Sequence, residues 1–173
     1  TGLTVDLIAK NSAADLRRRE ADIAIRNFRP DQPELIARKI KDVAARLYVS
    51  QGYIERFAKP LSVETVAEAD FISLWSPDTY LAALAGAGLP VDRSNLTILA
   101  DSHLVHWELL KAGLGIGMVP EFLGETTPGI VRALEGAYTP FKFPIWLTTH
   151  RELNTSRRVR MVFDFLAEEL GNI

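Results

Sequence analysis

Residues 101–120, DSHLVHWELLKAGLGIGMVP, leave few choices of local fold. Asp101 and Ser102 are both good helix N-caps, because a short side-chain oxygen accepts a bond from an otherwise unpaired backbone N–H. Leu104, Trp107 and Leu110 then recur at helical spacing, with Lys111 on the polar side. Gly113 is the expected stop, since glycine enters the left-handed conformation at no steric cost. Gly115-Ile116-Gly117-Met118-Val119 is too apolar and too small for a surface loop. It predicts a strand buried on both faces and closely approached by other backbone, ending at Pro120.

The rest of the chain reads as more of the same alternation. Leu3–Ala9 alternates as a strand, Ser12 opens a helix with Asp15 as a capping partner, and Asp22–Arg26 is a second strand. A strand, helix and strand of these lengths predict a βαβ unit with parallel pairing. Residues 27–33 carry Pro30 and Pro33 and form a loop. An extended stretch over 35–50, helices over 51–58 and 62–69, and a strand over 71–74 follow. A helix over 78–87 and strands over 96–99, 130–134 and 144–149 come next. Ser156 opens a last helix whose apolar stripe is Val159, Val162, Phe163, Leu166 and Leu170. Arg157, Arg158 and Arg160 stand at the start of that helix and Glu168 and Glu169 near its end, against the helix dipole. A solvated face is the simple reading. Residues 16–25 and 109–118 superpose without gaps as the end of a helix followed by a small-residue strand, which fits two similar α/β lobes.

Two segments carry a family resemblance. The helix–AGLGIG–apolar–Pro pattern ending at Pro120 resembles the second lobe of the effector-binding domain of LysR-type transcriptional regulators. DLRRREADIAIRNFRPDQPELIARKI, residues 15–40, resembles its first lobe, in the family's order and at its separation. The resemblance covers nearly the whole chain. It implies an α/β, two-lobed periplasmic-binding-protein-like (type II) fold with hinge crossovers near Leu61–Phe71 and Phe143–Thr149. Lobe I would be residues 1–70 plus 146–173, and lobe II residues 71–145. It also implies a small-molecule effector held between the lobes and a homodimer or tetramer formed through this domain. DNA would be contacted only through a separate N-terminal winged helix-turn-helix. In the family, a further strand and helix precede the position of Leu3, and the resemblance implies that they lie outside this chain.

Composition narrows the partners. A net charge of −2 and a pI of about 5.9 argue against a dedicated nucleic-acid surface across the whole chain. No apolar run reaches the ~18 residues of a membrane span, and there is no leader-like segment, so a cytoplasmic protein without a membrane partner is expected. The chain has no cysteine, hence no disulfide framework and no thiolate metal site. Gly113, Gly115 and Gly117 follow a helix and open a strand, the reverse of a nucleotide-binding loop. His103 and His106 are one turn apart but lack converging third and fourth ligands. Ser102 beside His103 has no nucleophile-elbow setting. No catalytic constellation, metal site or cofactor is expected.

Ligand contacts are expected instead where strands hand over to helices. In open α/β sheets, small molecules sit beyond the carboxyl ends of strands, where helix N-termini favour anions. Asn11 and Ser12 follow the first strand; Asp101, Ser102 and His103 follow the 96–99 strand. Arg26 ends the second strand and can pair with a carboxylate by a two-pronged bond. Trp75, just past the 71–74 strand, is a further lining residue. Ser12 and Ser102 equally serve as plain caps. The resemblance places its effector contacts at the same positions, Asn11, Ser12, Arg26, Asp101, Ser102 and His103. The first reading is therefore an effector-sensing, dimerising module that does not transform its ligand. The second is a solute-binding receptor of a transporter, and the third an enzyme on the same fold.

Overall fold

A computed structural model describes residues 2–9, 16 and 20–172. Its contacts divide the chain into two compact units, residues 1–43 with 142–173, and residues 44–141. The lobes expected from sequence divide at 70/71 and 145/146 instead. Residues 44–70 fall in the second unit because their polar and apolar contacts are made there. The Tyr53 hydroxyl bonds the Asp70 carboxylate at 3.1 Å and accepts from the Asp70 N–H at 2.7 Å. The buried Asn95 amide donates to the carbonyls of Ala67 and Ala69 at 2.8 and 2.9 Å.

In the first unit, strand β1 (Ile23–Arg26) pairs antiparallel with β7 (Phe141–His150), Ile23 opposite Thr149 and Arg26 opposite Trp146. The long strand β2 (Leu35–Ser50) begins in this unit and lies on the other side of β7 in the strand order. Helix α5 (Arg157–Asn172) covers the sheet, burying Phe163 and Ala167 against Leu147, with Ile23, Ile40, Leu166 and Leu170 around them. Phe163, Leu166 and Leu170 belong to the stripe read from sequence, and Ala167 extends it. Burying Phe163 alone contributes about 2 kcal/mol. The Lys41 ammonium reaches the Gly171 carbonyl at the helix C-terminus, where a cation is favoured.

Two expectations for this unit are corrected. Residues 2–9 form no strand and are exposed throughout, Leu7 among them. Alternation alone does not make a strand; a ladder partner must satisfy its backbone groups and give its apolar face something to cover. Among the described residues 2–9 have none. The pairing expected to be parallel is accordingly absent, and β1 is paired antiparallel to β7. The helix expected from Ser12 lies outside the described residues.

The βαβ unit appears in the second unit instead. Strands β3 (Phe71–Leu74) and β4 (Leu96–Ala100) are parallel neighbours joined through helix α2 (Pro77–Gly86), with Leu74 opposite Ala100. Helix α3 (His103–Lys111) returns the chain to Ile116, which bridges Phe71 in parallel on the other side of β3. Strand β5 (Gly117–Pro120) continues into an antiparallel pair with β2, and β6 (Ile130–Arg132) also pairs with β2. Tyr48, Ile72, Ala100, Leu110 and Val119 form the core between them.

Local chemistry explains several boundaries. Helix α1 (Gln51–Phe57) is capped by Ser50, whose hydroxyl accepts from the Tyr53 N–H, and α2 by Ser76 with Pro77 in its first turn. The predicted 62–69 helix shrinks to a single 3₁₀ turn, Val66–Glu68. Thr65 sends its hydroxyl back to the Pro60 carbonyl, and such a local bond competes with helix propagation. Gly113 ends α3 at φ +75°, and the Arg56 guanidinium donates to its carbonyl. A Cβ on Gly115 would lie 2.8 Å from the Asp70 carbonyl oxygen, the close approach that the glycine run implied. The excursion from β5 through the short helix α4 (Glu121–Gly124) to β6 is tied down by charge. Arg46 pairs with Glu121, while Glu125 accepts from both Tyr48 (2.5 Å) and Arg132 (2.7 Å). That shared carboxylate is held below the usual range, first by Arg132 and then by Tyr48.

Candidate functional site

The candidate site in the second unit is built by register. Because Leu74 and Ala100 are partners in a parallel pair, the chain leaves β3 and β4 at the same edge. It enters α2 at Ser76–Pro77 and α3 at Ser102–His103. Two helices, each with unpaired N–H groups and the positive end of a dipole at its start, therefore begin at that edge. Trp75 follows β3 and Asp101, Ser102 and His103 follow β4 at that same edge.

Each of the four has a distinct local state. Trp75 sits at φ +72°, a left-handed conformation that a bulky residue adopts only at a cost of about 1–2 kcal/mol. It is 48% exposed, and its indole meets the buried Tyr80 ring edge-on at 6.4 Å between centroids. Asp101 is exposed. Ser102 caps α3, its hydroxyl accepting from the Val105 N–H at a long 3.5 Å, so part of its acceptor capacity is free. His103 is solvent-facing, yet the covered part of its ring lowers its pKa through desolvation, which favours the uncharged imidazole at neutral pH.

His106, one turn on, is a different histidine. It is 1% exposed and packs over Gly117, where an added Cβ would stand 2.7 Å from its Cε1. Burial pushes its pKa down to about 4, with His103 adding a little and the Ile72 backbone opposing. The two histidines thus do not share a solvent face, and among the described residues no cluster of His, Cys, Asp or Glu fits a metal ion.

Arg26 belongs to the first unit. It is buried, and its guanidinium lies over the Phe28 ring at 5.6 Å from the centroid. The neighbouring Arg29 stacks on Trp146 in the same way at 5.8 Å. Asn11 and Ser12 lie outside the described residues.

One feature of α3 escaped the sequence reading. Leu104, assigned to the inner stripe, is 65% exposed and Val105 51% exposed. With Leu109 and Ala112 they line a shallow apolar depression on the outer side of the helix, beside Glu108. The buried stripe runs instead through His106 and Leu110. The signal was present in the spacing of Val105, Leu109 and Ala112 at i, i+4 and i+7, a second apolar stripe on one helix.

Residues 1–171 match the LysR substrate binding domain. The chain belongs to that family. A LysR-family relative, the HTH-type transcriptional regulator CrgA of Neisseria meningitidis serogroup C (strain 8013), is 25% identical over 98% of this chain and 58% of its own length. The chain thus spans about three-fifths of the regulators it matches. The solved CrgA regulatory domain superposes with a TM-score of 0.72 at 24% identity, over 90% of this chain and 78% of that one. The AmpR effector-binding domain of Citrobacter freundii gives 0.70 at 15% identity, over 95% and 82%. Full-length AphB, the Vibrio cholerae virulence activator, gives 0.67 at 22% identity, over 92% and 56%. The fold is the type II periplasmic-binding-protein-like fold of LysR substrate-binding domains, a mixed α/β arrangement. The relatives are transcriptional regulators, and the solute-receptor reading finds no support among them. No described helix is long and apolar enough to cross a membrane.

Proposed function

We propose that this LysR-family domain senses a small carboxylate metabolite for a cytoplasmic transcriptional regulator, without transforming it. The observation that carries the reading is the shared carboxyl edge of β3 and β4, where both α2 and α3 begin. A carboxylate there is met by backbone N–H groups and by the free acceptor and donor capacity of Ser102 and His103. Asp101 stands at the same edge and disfavours a second negative charge beside it. Amino acids and hydroxy acids therefore suit the site better than dicarboxylates. Trp75 offers an exposed ring face to the apolar part of the ligand. Arg26 is the contact proposed in the first unit, with Asn11 and Ser12 retained from the sequence reading. Among the described residues no hydrogen-bonded nucleophile–base pair accompanies these groups, which favours sensing over catalysis. Regulation would follow by linkage, the effector biasing a dimer that carries DNA-binding segments.

A thermal-shift screen of amino, hydroxy and dicarboxylic acids, followed by calorimetry, tests this. A hit should bind at least ~10-fold more weakly to Ser102→Ala and Trp75→Gly, a loss of about 1.4 kcal/mol each. It should be recovered unchanged after long incubation. Failure of every acid to raise the melting temperature, or conversion of the hit to product, would overturn the proposal.

A further inference from the structure

The arginines at the start of α5 are not used by the sensing site. Arg157, Arg158 and Arg160 occupy three of four successive positions in its first turn, and all are exposed. None of the three guanidinium groups has a carboxylate or hydrogen-bond partner among the described residues. The helix is 16 residues long, and its own acids, Asp164, Glu168 and Glu169, come at least one turn later. Cations at the positive end of a helix are unfavourable. The cluster therefore opposes the stability of the helix that carries it, and an arriving polyanion would relieve the opposition.

Charge is also divided between the units. Residues 1–43 with 142–173 hold 14 Lys and Arg against 11 Asp and Glu, a net charge of +3. Residues 44–141 hold 6 against 11, a net charge of −5. The overall −2 thus conceals a basic unit, and the argument from whole-chain charge against nucleic acid does not extend to it.

We propose that the first turn of α5 is a contact surface for the phosphate backbone of duplex DNA, read without regard to sequence. Three guanidinium groups on one turn suit successive phosphates, and each released counterion adds to the salt dependence. The choice of DNA over other polyanions rests on the reading of the chain as part of a DNA-binding regulator; the patch itself does not.

The test is fluorescence anisotropy of the 173-residue chain against a labelled 20-base-pair duplex of arbitrary sequence, from 20 to 200 mM salt. Three phosphate contacts give a slope of log K against log salt of about −2.7, or about a 40-fold loss of affinity between 50 and 200 mM. The combined Arg157→Gln, Arg158→Gln, Arg160→Gln variant should lose about that much slope while keeping its circular dichroism and any effector binding. The corresponding triple Lys variant should retain the slope, and Glu168→Gln with Glu169→Gln should leave it unchanged. Absence of binding at 20 mM salt, an unaltered slope in the Gln variant, or binding of polyglutamate in preference to DNA would each overturn the proposal. Effector binding uses none of these residues, so its failure and the failure of DNA contact are read separately.

Discussion

His106 shows how far burial, the largest cause, moves a side chain from its ordinary behaviour. Its imidazole is held neutral, with a pKa of about 4 in the folded chain against 6.5 in the unfolded one. Between those values the unfolded state binds more protons, so stability rises with pH through this window. The contribution is complete above pH 6.5 and is lost as pH falls toward 4, by about 3 kcal/mol in all. Urea unfolding at pH 7 and at pH 4.5 should therefore differ by less in His106→Leu than in the parent chain. An equal acid loss in both would show that the imidazole is not the group responsible. The sequence showed two histidines one turn apart but not which faced inward, because that is decided by Gly117, a residue with no side chain of its own to signal the contact. The backbone of Trp75 was equally invisible. A left-handed tryptophan leaves no mark in the sequence, whereas its position just past the 71–74 strand could be read.

At the level of elements, the glycine run after α3 is the clearest case of sequence dictating packing. Gly115→Ala forces a methyl group to within 2.8 Å of the Asp70 carbonyl oxygen, which the Ile116 N–H already holds in place just before β3. A loss of about 2 kcal/mol or more is expected, as for other overpacked positions. Gly52→Ala in α1 meets nothing within 4 Å and should stabilise by about 0.5–1 kcal/mol, through helix propensity and a less free unfolded chain. Denaturant midpoints of the two variants should move in opposite directions; a shared direction would refute the account. Elements whose determinants are local were legible: most of the α5 stripe, the Ser102 cap, and the stop at Gly113. Those that depend on a distant partner were not. Residues 2–9 have the alternation of a strand and none of its pairing, and β1 finds its neighbour more than a hundred residues away in β7.

For the molecule as a whole, self-association is proposed through the outer side of α3. Exposed Leu104 and Val105, with Leu109 and Ala112, offer an apolar strip that a second copy can cover, bordered by the Glu108–Lys111 ion pair. Sedimentation of Leu104→Glu with Val105→Glu should show a shift toward monomer with unchanged circular dichroism. A parent chain that is monomeric at high concentration would remove the basis for this proposal. The chain path carries a separate consequence. The unit made of residues 44–141 is continuous, whereas its companion is assembled from two pieces separated by those 98 residues. On a ribosome the continuous unit can collapse while its companion still lacks β7 and α5, and closing so long an intervening segment is entropically slow. The stripe of α5 and the partners that await it around Ile23 and Ile40 are thus the last hydrophobic surfaces to be buried. A nascent chain stalled before residue 142 would present Ile23 and Ile40 to chaperones, with no α5 to cover them.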